Sequence, residues 1–300
     1  MGNNLMMPNK SFMKKIIVTG SSSGFGLLTV QTLAQKGHTV YATMQNTDIK
    51  NTNAAQRLRS WAEENNADVR TVEVDITNDE SVHKAVKKIA DDAGQIDVLI
   101  NSAELLIWGL SETLSTRQLE QVFEVNVFGS DRMNKAVLPY MHQQDHGLII
   151  QLSSGLSRLH LPCLGAYCAA KAAIDALAET LHYELRKTGI DSIIIQPGAY
   201  PSTELFNKLI PADNPLAAYK YGEFGPKIKQ GINFLFAGTP DSPQPTEVAR
   251  LIAEIIEMPR DERKLWTSIG LGAEQSSLEA INDSIQLFSK QVQGVLGIYS

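Results

Sequence analysis

A phenol and an ammonium four residues apart, Tyr167 and Lys171, form the most chemically suggestive pair in this sequence. They stand in the helix-like stretch "AYCAAKAAIDALAETL", where residues i and i+4 share a face. A free phenol loses its proton at a pH of about 10, too high for a base at neutral pH. A close opposite charge lowers such a value by about 1–3 units, so Lys171 is expected to tune Tyr167 as a general acid and base. Ser154 precedes the tyrosine by thirteen residues at the end of an apolar run, and Asn126 in "NVFG" offers a side-chain amide. Each also has a purely structural use. A Tyr–Lys pair at this spacing arises by chance, a serine near a strand end serves a turn or cap, and an asparagine can satisfy a backbone kink.

A second feature is the octet "TGSSSGFG", residues 19–26, set between the apolar "KKIIV" and the helix-like "LLTVQTLAQKG". A strand, a glycine-rich turn and a helix starting near Phe25 bring free backbone N–H groups and a positive helix end to one point. Anions bind there, and a dinucleotide pyrophosphate is the commonest one in such an architecture. The same glycines would also suit a bare strand-to-helix turn.

These residues need a scaffold, and the chain supplies it as an alternation of apolar and helical segments. The runs "KKIIVTG", "HTVYATM", "DVRTVEVD", "IDVLINSA", "GLIIQLSS" and "DSIIIQPG" read as strands covered on both faces, with "KLWTSIG" as a seventh. Helical periods fall near 27–36, 52–65, 79–93, 115–141, 165–188, 246–257 and 273–292. The expected fold is α/β, a single doubly wound Rossmann-type domain with a parallel sheet of about seven strands and helices on both faces. It would span residues 14–300 behind a loose arm, 1–13. Residues 205–245 read as an insertion with short helices, because Pro211–Pro245 holds six of the twelve prolines yet retains apolar content. Its Phe206, Tyr219, Tyr221, Phe224 and Phe234 suit either a pocket for an apolar substrate or anchors of a lid.

Composition excludes several other classes. Among 300 residues, 43% hydrophobic and 20% charged content is that of an ordinary globular protein with a sizeable core. A net charge of −6 with dispersed Lys and Arg argues against a nucleic-acid partner. The N-terminal "MGNNLMMPNKSF" lacks the apolar stretch of a signal peptide, and no run approaches the length of a membrane span. Cys163 and Cys168, five apart, read as reduced thiols, which points to the cytoplasm. His142 and His146 have metal-ligand spacing but no convergent partner, and a polar helix end is the expected reading, with no metal.

In combination these motifs resemble the short-chain dehydrogenase/reductase family over residues 14 to about 203. Gly20, Gly24 and Gly26 fill its T-G-x-x-x-G-x-G loop, while Ser154, Tyr167 and Lys171 fill its S-x12-Y-x3-K arrangement, and Asn126 matches its fourth active-site position. The resemblance implies an NAD(P)-dependent oxidoreductase that interconverts a carbonyl and a secondary alcohol by hydride transfer. In it Tyr167 exchanges the proton, Lys171 also bonds the nicotinamide ribose, Ser154 orients the substrate oxygen and Asn126 holds a relay water. Cofactor contacts are implied for Gly20, Ser22, Ser23, Gly24, Phe25, Gly26, Gln45, Asp75, Ile76, Asn101, Ala103, Tyr167, Lys171, Pro197, Gly198 and Ser202, with Thr203 able to replace Ser202. A homodimer or homotetramer is implied through the helices near 115–141 and 165–188.

The sequence departs from that pattern twice. The fourth-strand motif N-N-A-G is here Asn101, Ser102, Ala103 and Glu104, so a carboxylate replaces a glycine where the cofactor should pass. It can repel a phosphate, point into solvent or contact a ribose hydroxyl. At the end of the second strand Gln45 stands where an acidic residue would accept ribose hydroxyls or an arginine would grip a 2'-phosphate. With no carboxylate to repel that phosphate, and with Ser23 and Gln45 able to bond it, NADP(H) is expected over NAD(H). These departures leave one rival: a catalytically inactive nucleotide-sensing or scaffold protein on the same fold.

Overall fold

Continuous β-branched runs produce strands that are buried on both faces, and the helices between them supply the cover. The computed structural model describes residues 13–201, 203, 209–235 and 242–297, with only the backbone of 232–235. Seven parallel strands form one sheet in the order β3-β2-β1-β4-β6-β7-β9. They are β1 (Lys15–Val18), β2 (Thr39–Met44), β3 (Val69–Glu73), β4 (Val98–Asn101), β6 (Gly147–Leu152), β7 (Ile190–Pro197) and β9 (Trp266–Ile269). A short parallel pair, β5 (Ile107–Trp108) with β8 (Ile210–Pro211), stands apart. Sequence reasoning missed that pair because two residues carry no periodicity.

Alternation along each strand divides the core. Ile16, Val18, Val40 and Ala42 face one layer, with α1 (Gly24–Gln35), α2 (Thr52–Glu64) and α8 (Thr246–Glu257). Ile17, Tyr41, Leu99 and Ile149 face the other, with α3 (Asp79–Ala93) and α5 (Ser130–Gln144). Two covered faces explain why the strands are apolar at every position, β2 being buried at all six. Helix ends obey local chemistry: the Asn78 side chain accepts from the Ser81 N–H at 2.9 Å to start α3, and the Ser115 hydroxyl accepts from the Gln118 N–H to start α4 (Thr116–Phe123).

The long helix expected over 115–141 is interrupted. Between α4 and α5 lies a π-helical segment, Glu124–Gly129, and Asn126 within it is buried. Wide turns of this kind recur at functional sites. Helix α6 (Gly165–Glu184) carries Tyr167 and Lys171, and α9 (Gln275–Val295) closes the described chain. Within residues 205–245, the described residues form a short 3-10 helix (Pro215–Tyr221) and α7 (Phe224–Leu235). Of the expected arm only Met13 belongs to the described residues.

The strand order reverses direction between β1 and β4, since the chain winds outward to β3 and then returns to the other side of β1. In open parallel sheets ligands enter the crevice at the carboxyl ends of the two strands flanking such a reversal. Here those ends are the glycine octet after β1 and the loop Ser102–Glu104 after β4.

Candidate active site

The two loops at the reversal are tied together by main-chain chemistry. Thr19 donates its N–H to the Ile100 carbonyl at 2.9 Å, and its hydroxyl accepts from the N–H groups of Ser102 and Ala103 at 3.0 and 3.1 Å. Gly20 is obligatory at this crossing: its φ is +68°, and an added Cβ would lie 2.6 Å from the Cα of Ala103. Gly26, on the first turn of α1, packs its Cα against the Gly20 carbonyl so closely that a Cβ would approach that oxygen. The start of α1 receives no side-chain cap from Ser23. A glycine-walled turn ending in an uncapped helix start can receive an anion.

Tyr167 and Lys171 face the same space from α6, as their spacing requires, and both are buried. Lys171 donates to the Leu152 carbonyl at 3.2 Å, and its ammonium lies 5.3 Å from the centre of the Tyr167 ring. Ser154, directly after β6, accepts from the Leu156 N–H at 3.1 Å and adjoins the phenol. A cavity of about 420 Å³ opens above them. Phe25, Ser154, Tyr167, Pro197 and Gly198 all line it, so residues distant in sequence converge there. Leucine is the most frequent residue on its walls, with Leu106, Leu156, Leu159, Leu161, Leu164 and Leu271 among them.

Glu104 does not point into solvent. It turns into the cavity, where one carboxylate oxygen accepts from the Tyr167 hydroxyl at 2.7 Å and pairs with the Lys171 ammonium at 3.1 Å. The expected lowering of the tyrosine's pKa is therefore reversed. Burial, then the charge of Glu104 and its hydrogen bond, push the phenol well above its ordinary value, against a smaller opposite effect of the Ser154 hydroxyl.

Asn126 ties down a neighbouring stretch of backbone. Its amide oxygen accepts from the Leu105 N–H at 2.7 Å and its amide nitrogen donates to the Leu105 carbonyl at 2.9 Å. One acceptor site and one N–H of the amide thus clamp the residue after Glu104, a backbone-satisfying use. Asn101 donates to Asn134 at 2.7 Å, while its own side-chain oxygen is buried without a partner among the described residues.

The other predicted cofactor residues occupy the same edge of the sheet. Gln45 is exposed after β2. Asp75 follows β3 and accepts from Thr77, and Ile76 packs against Gly129. Gly198 follows β7 and donates its N–H to Ile269. Ser22, Ser23 and Gly24 complete the octet, and Ser202 and Phe206 lie outside the described residues, as does the side chain of Phe234. Tyr219, Tyr221 and Phe224 are exposed and none lines the cavity; Tyr221 instead bonds Glu112 at 2.8 Å, as an anchor would. His160 is exposed outside the cavity, whereas the leucines around it in "GLSRLHLPCLG" form the wall. The closely spaced leucines of that loop were the available signal. Cys163 and Cys168 are buried free thiols.

An open parallel sheet with a glycine turn and a Ser–Tyr–Lys group at its reversal defines a dinucleotide-binding oxidoreductase fold. The short chain dehydrogenase family model matches residues 14–214, and the chain belongs to that family. It is 37% identical over 185 residues to a 3-ketodihydrosphingosine reductase of Bacteroides thetaiotaomicron, covering 62% of this chain and 63% of that protein. It is 33% identical to YusZ, an uncharacterized oxidoreductase of Bacillus subtilis, covering 81% of this chain and 84% of the other. A short-chain dehydrogenase structure from Streptomyces avermitilis superposes with a TM-score of 0.74 at 27% identity, over 96% of this chain and 98% of that one. No helix among the described residues is long and apolar enough to cross a membrane.

Proposed function

We propose that the chain is an NAD(P)-dependent oxidoreductase interconverting a carbonyl and a secondary alcohol, with Tyr167 as general acid and base. The observation carrying this reading is the Tyr167 hydroxyl at the floor of a leucine-walled cavity, beside Ser154, Lys171 and the glycine turn. When bound, the nicotinamide supplies or accepts the hydride. Gly20, Ser22, Ser23, Gly24, Phe25 and Gly26 would hold its pyrophosphate end, Asp75 and Ile76 its adenine end, and Asn101, Ala103, Pro197, Gly198 and Ser202 the nicotinamide end. The close Gly20–Ala103 approach supports that fit.

Ser154 orients the substrate oxygen, and Tyr167 donates a proton to it as charge develops there. Leucine walls keep water away and favour an apolar ketone or alcohol. The reductase of Bacteroides thetaiotaomicron, whose name carries a ketone, agrees with that choice. NADP(H) is the proposed cofactor, because Gln45 leaves no carboxylate to repel a 2'-phosphate; a lower Michaelis constant for NADPH than for NADH is expected, and the reverse order would overturn the choice. Leu119, Phe128 and Leu177 are exposed on α4, the π-helical segment and α6, which supports pairing of copies through these helices. Gel filtration showing a monomer at micromolar concentration would refute that pairing.

Incubation with NADPH and a panel of apolar ketones tests the function. Turnover that falls by about 10²–10⁴-fold in Tyr167→Phe is expected. Glu104, seated on both the phenol and the ammonium, favours a second reading as a nucleotide sensor without chemistry. Cofactor binding without turnover of any carbonyl would support the sensor.

A further inference from the structure

Glu104 stands where the family pattern has glycine, yet its carboxylate is as deeply engaged as any group around the cavity. One of its oxygens receives both the Tyr167 hydroxyl at 2.7 Å and the Lys171 ammonium at 3.1 Å. The backbone that carries it is held at the next residue by both ends of the Asn126 amide. A chance surface carboxylate would have neither the shared oxygen nor the clamp.

We propose that Glu104 is a positioning residue that holds the working proton on Tyr167, so that the phenol stays in its acid form from neutral into alkaline pH. The inference rests on the oxidoreductase reading for its consequence, but not for its geometry. Reduction breaks the Tyr167 O–H bond and passes that proton to the substrate oxygen while hydride arrives at the carbon; solvent then returns a proton to the phenolate. Oxidation runs the same bonds backward and needs the phenolate. A carboxylate at hydrogen-bond distance opposes the phenolate directly, and it also neutralises the ammonium that would otherwise favour it.

The titratable and charged groups around this pair act in a consistent direction. Lys171 on α6 is the cation, and it is already paired with Glu104. Cys168 on α6 is a buried thiol whose own pKa is pushed up by burial, so it brings no positive charge. Tyr200 after β7 and Glu274 before α9 line the same cavity and bring no positive charge.

One group serves both directions, so both pH profiles must break at the same point. Carbonyl reduction is expected to stay level up to that pH, and alcohol oxidation to climb until it. Glu104→Gln keeps the shape and an acceptor but removes the charge, and Glu104→Gly restores the family residue. In both, the shared breakpoint should move down by about one unit or more, a tenfold change in the Tyr167 protonation constant. Ultraviolet titration of phenolate gives a readout without turnover: the difference between Glu104→Gln and Glu104→Gln/Tyr167→Phe isolates Tyr167, and the same subtraction in the native background gives its reference. An unchanged Tyr167 titration in the glutamine variant would overturn the proposal, as would a breakpoint that stays in place. Tighter NADPH binding by Glu104→Gly with no change in that titration would also overturn it, making Glu104 an obstruction instead. Absence of turnover in every form would defeat the oxidoreductase reading, while the phenolate titration would still decide the role of Glu104.

Discussion

Replacing two glycines of the octet separates two physical costs that coincide in this loop. Gly24 has a φ of +58° with nothing among the described residues within 4 Å of an added Cβ, whereas Gly20 has a φ of +68° with Ala103 Cα at 2.6 Å, Ala103 N at 2.8 Å and Ser102 O at 3.0 Å. Alanine at Gly24 therefore bears only the left-handed backbone penalty of about 1–2 kcal/mol. Reduced freedom of the unfolded chain offsets about 0.4–1 kcal/mol of it. Alanine at Gly20 adds an overlap with main chain that no rotamer can relieve, about 1–3 kcal/mol more. Net losses of about 0.5–1 kcal/mol for Gly24→Ala and about 2–4 kcal/mol for Gly20→Ala follow. With an unfolding entropy of about 2.1 cal/mol/K per residue, and thus about 0.6 kcal/mol/K here, Tm should fall by about 1–2 °C and about 3–6 °C. Scanning calorimetry measures the first quantity, and NADPH titration should show weaker binding by Gly20→Ala, because the displaced Ala103 belongs to the loop after β4. Equal Tm shifts in the two variants would refute the reasoning, since they would mean that the Gly20–Ala103 approach costs nothing.

Further expectations concern the supports of the site. Asn126→Ala removes the partners of the half-buried N–H and carbonyl of Leu105, at about 1 kcal/mol for each, toward the low end of the cost of an unpaired group because water can reach them. Hydrogen exchange at the Leu105 amide should accelerate; unchanged protection would contradict the clamp. Tyr200, buried with no partner for its hydroxyl among the described residues, has a pKa raised from 10.0 to about 12 by burial and then by the charge of Glu247. The folded state keeps this proton longer than the unfolded one, so its contribution is complete below pH 10 and is lost as pH rises toward about 12. Tyr41, raised to about 12 by burial and then by its bond to Asp92, acts in the same window. Denaturant melts of Tyr200→Phe should match the native protein at pH 7 and lose less stability between pH 10 and 12; an identical alkaline slope would dispose of the argument.

Much of the scaffold was legible because its signals are local. Unbroken runs such as "TVYAT" declare strands covered on both sides, and a strand, a glycine turn and a helix succeed one another within about twenty residues of β1. The Tyr167–Lys171 pair was equally legible, since one helical turn brings i and i+4 together without help from the rest of the chain. The β5–β8 pair was not, because two residues at each end of a hundred-residue separation leave no pattern.

Residue types, their spacing within single elements and the succession of those elements were determined by the sequence alone, and with them the family and the general chemistry. Only the tertiary structure decided that Glu104, sixty-three residues before Tyr167, accepts a hydrogen bond from its hydroxyl, that Asn126 clamps Leu105, and that leucines rather than Tyr219, Tyr221 or Phe224 line the cavity. The physical reason is that charge and hydrogen bonding depend on distances of a few ångströms. Within a helix, local geometry sets such distances. Between loops brought together at a strand reversal, the packing of the whole sheet sets them.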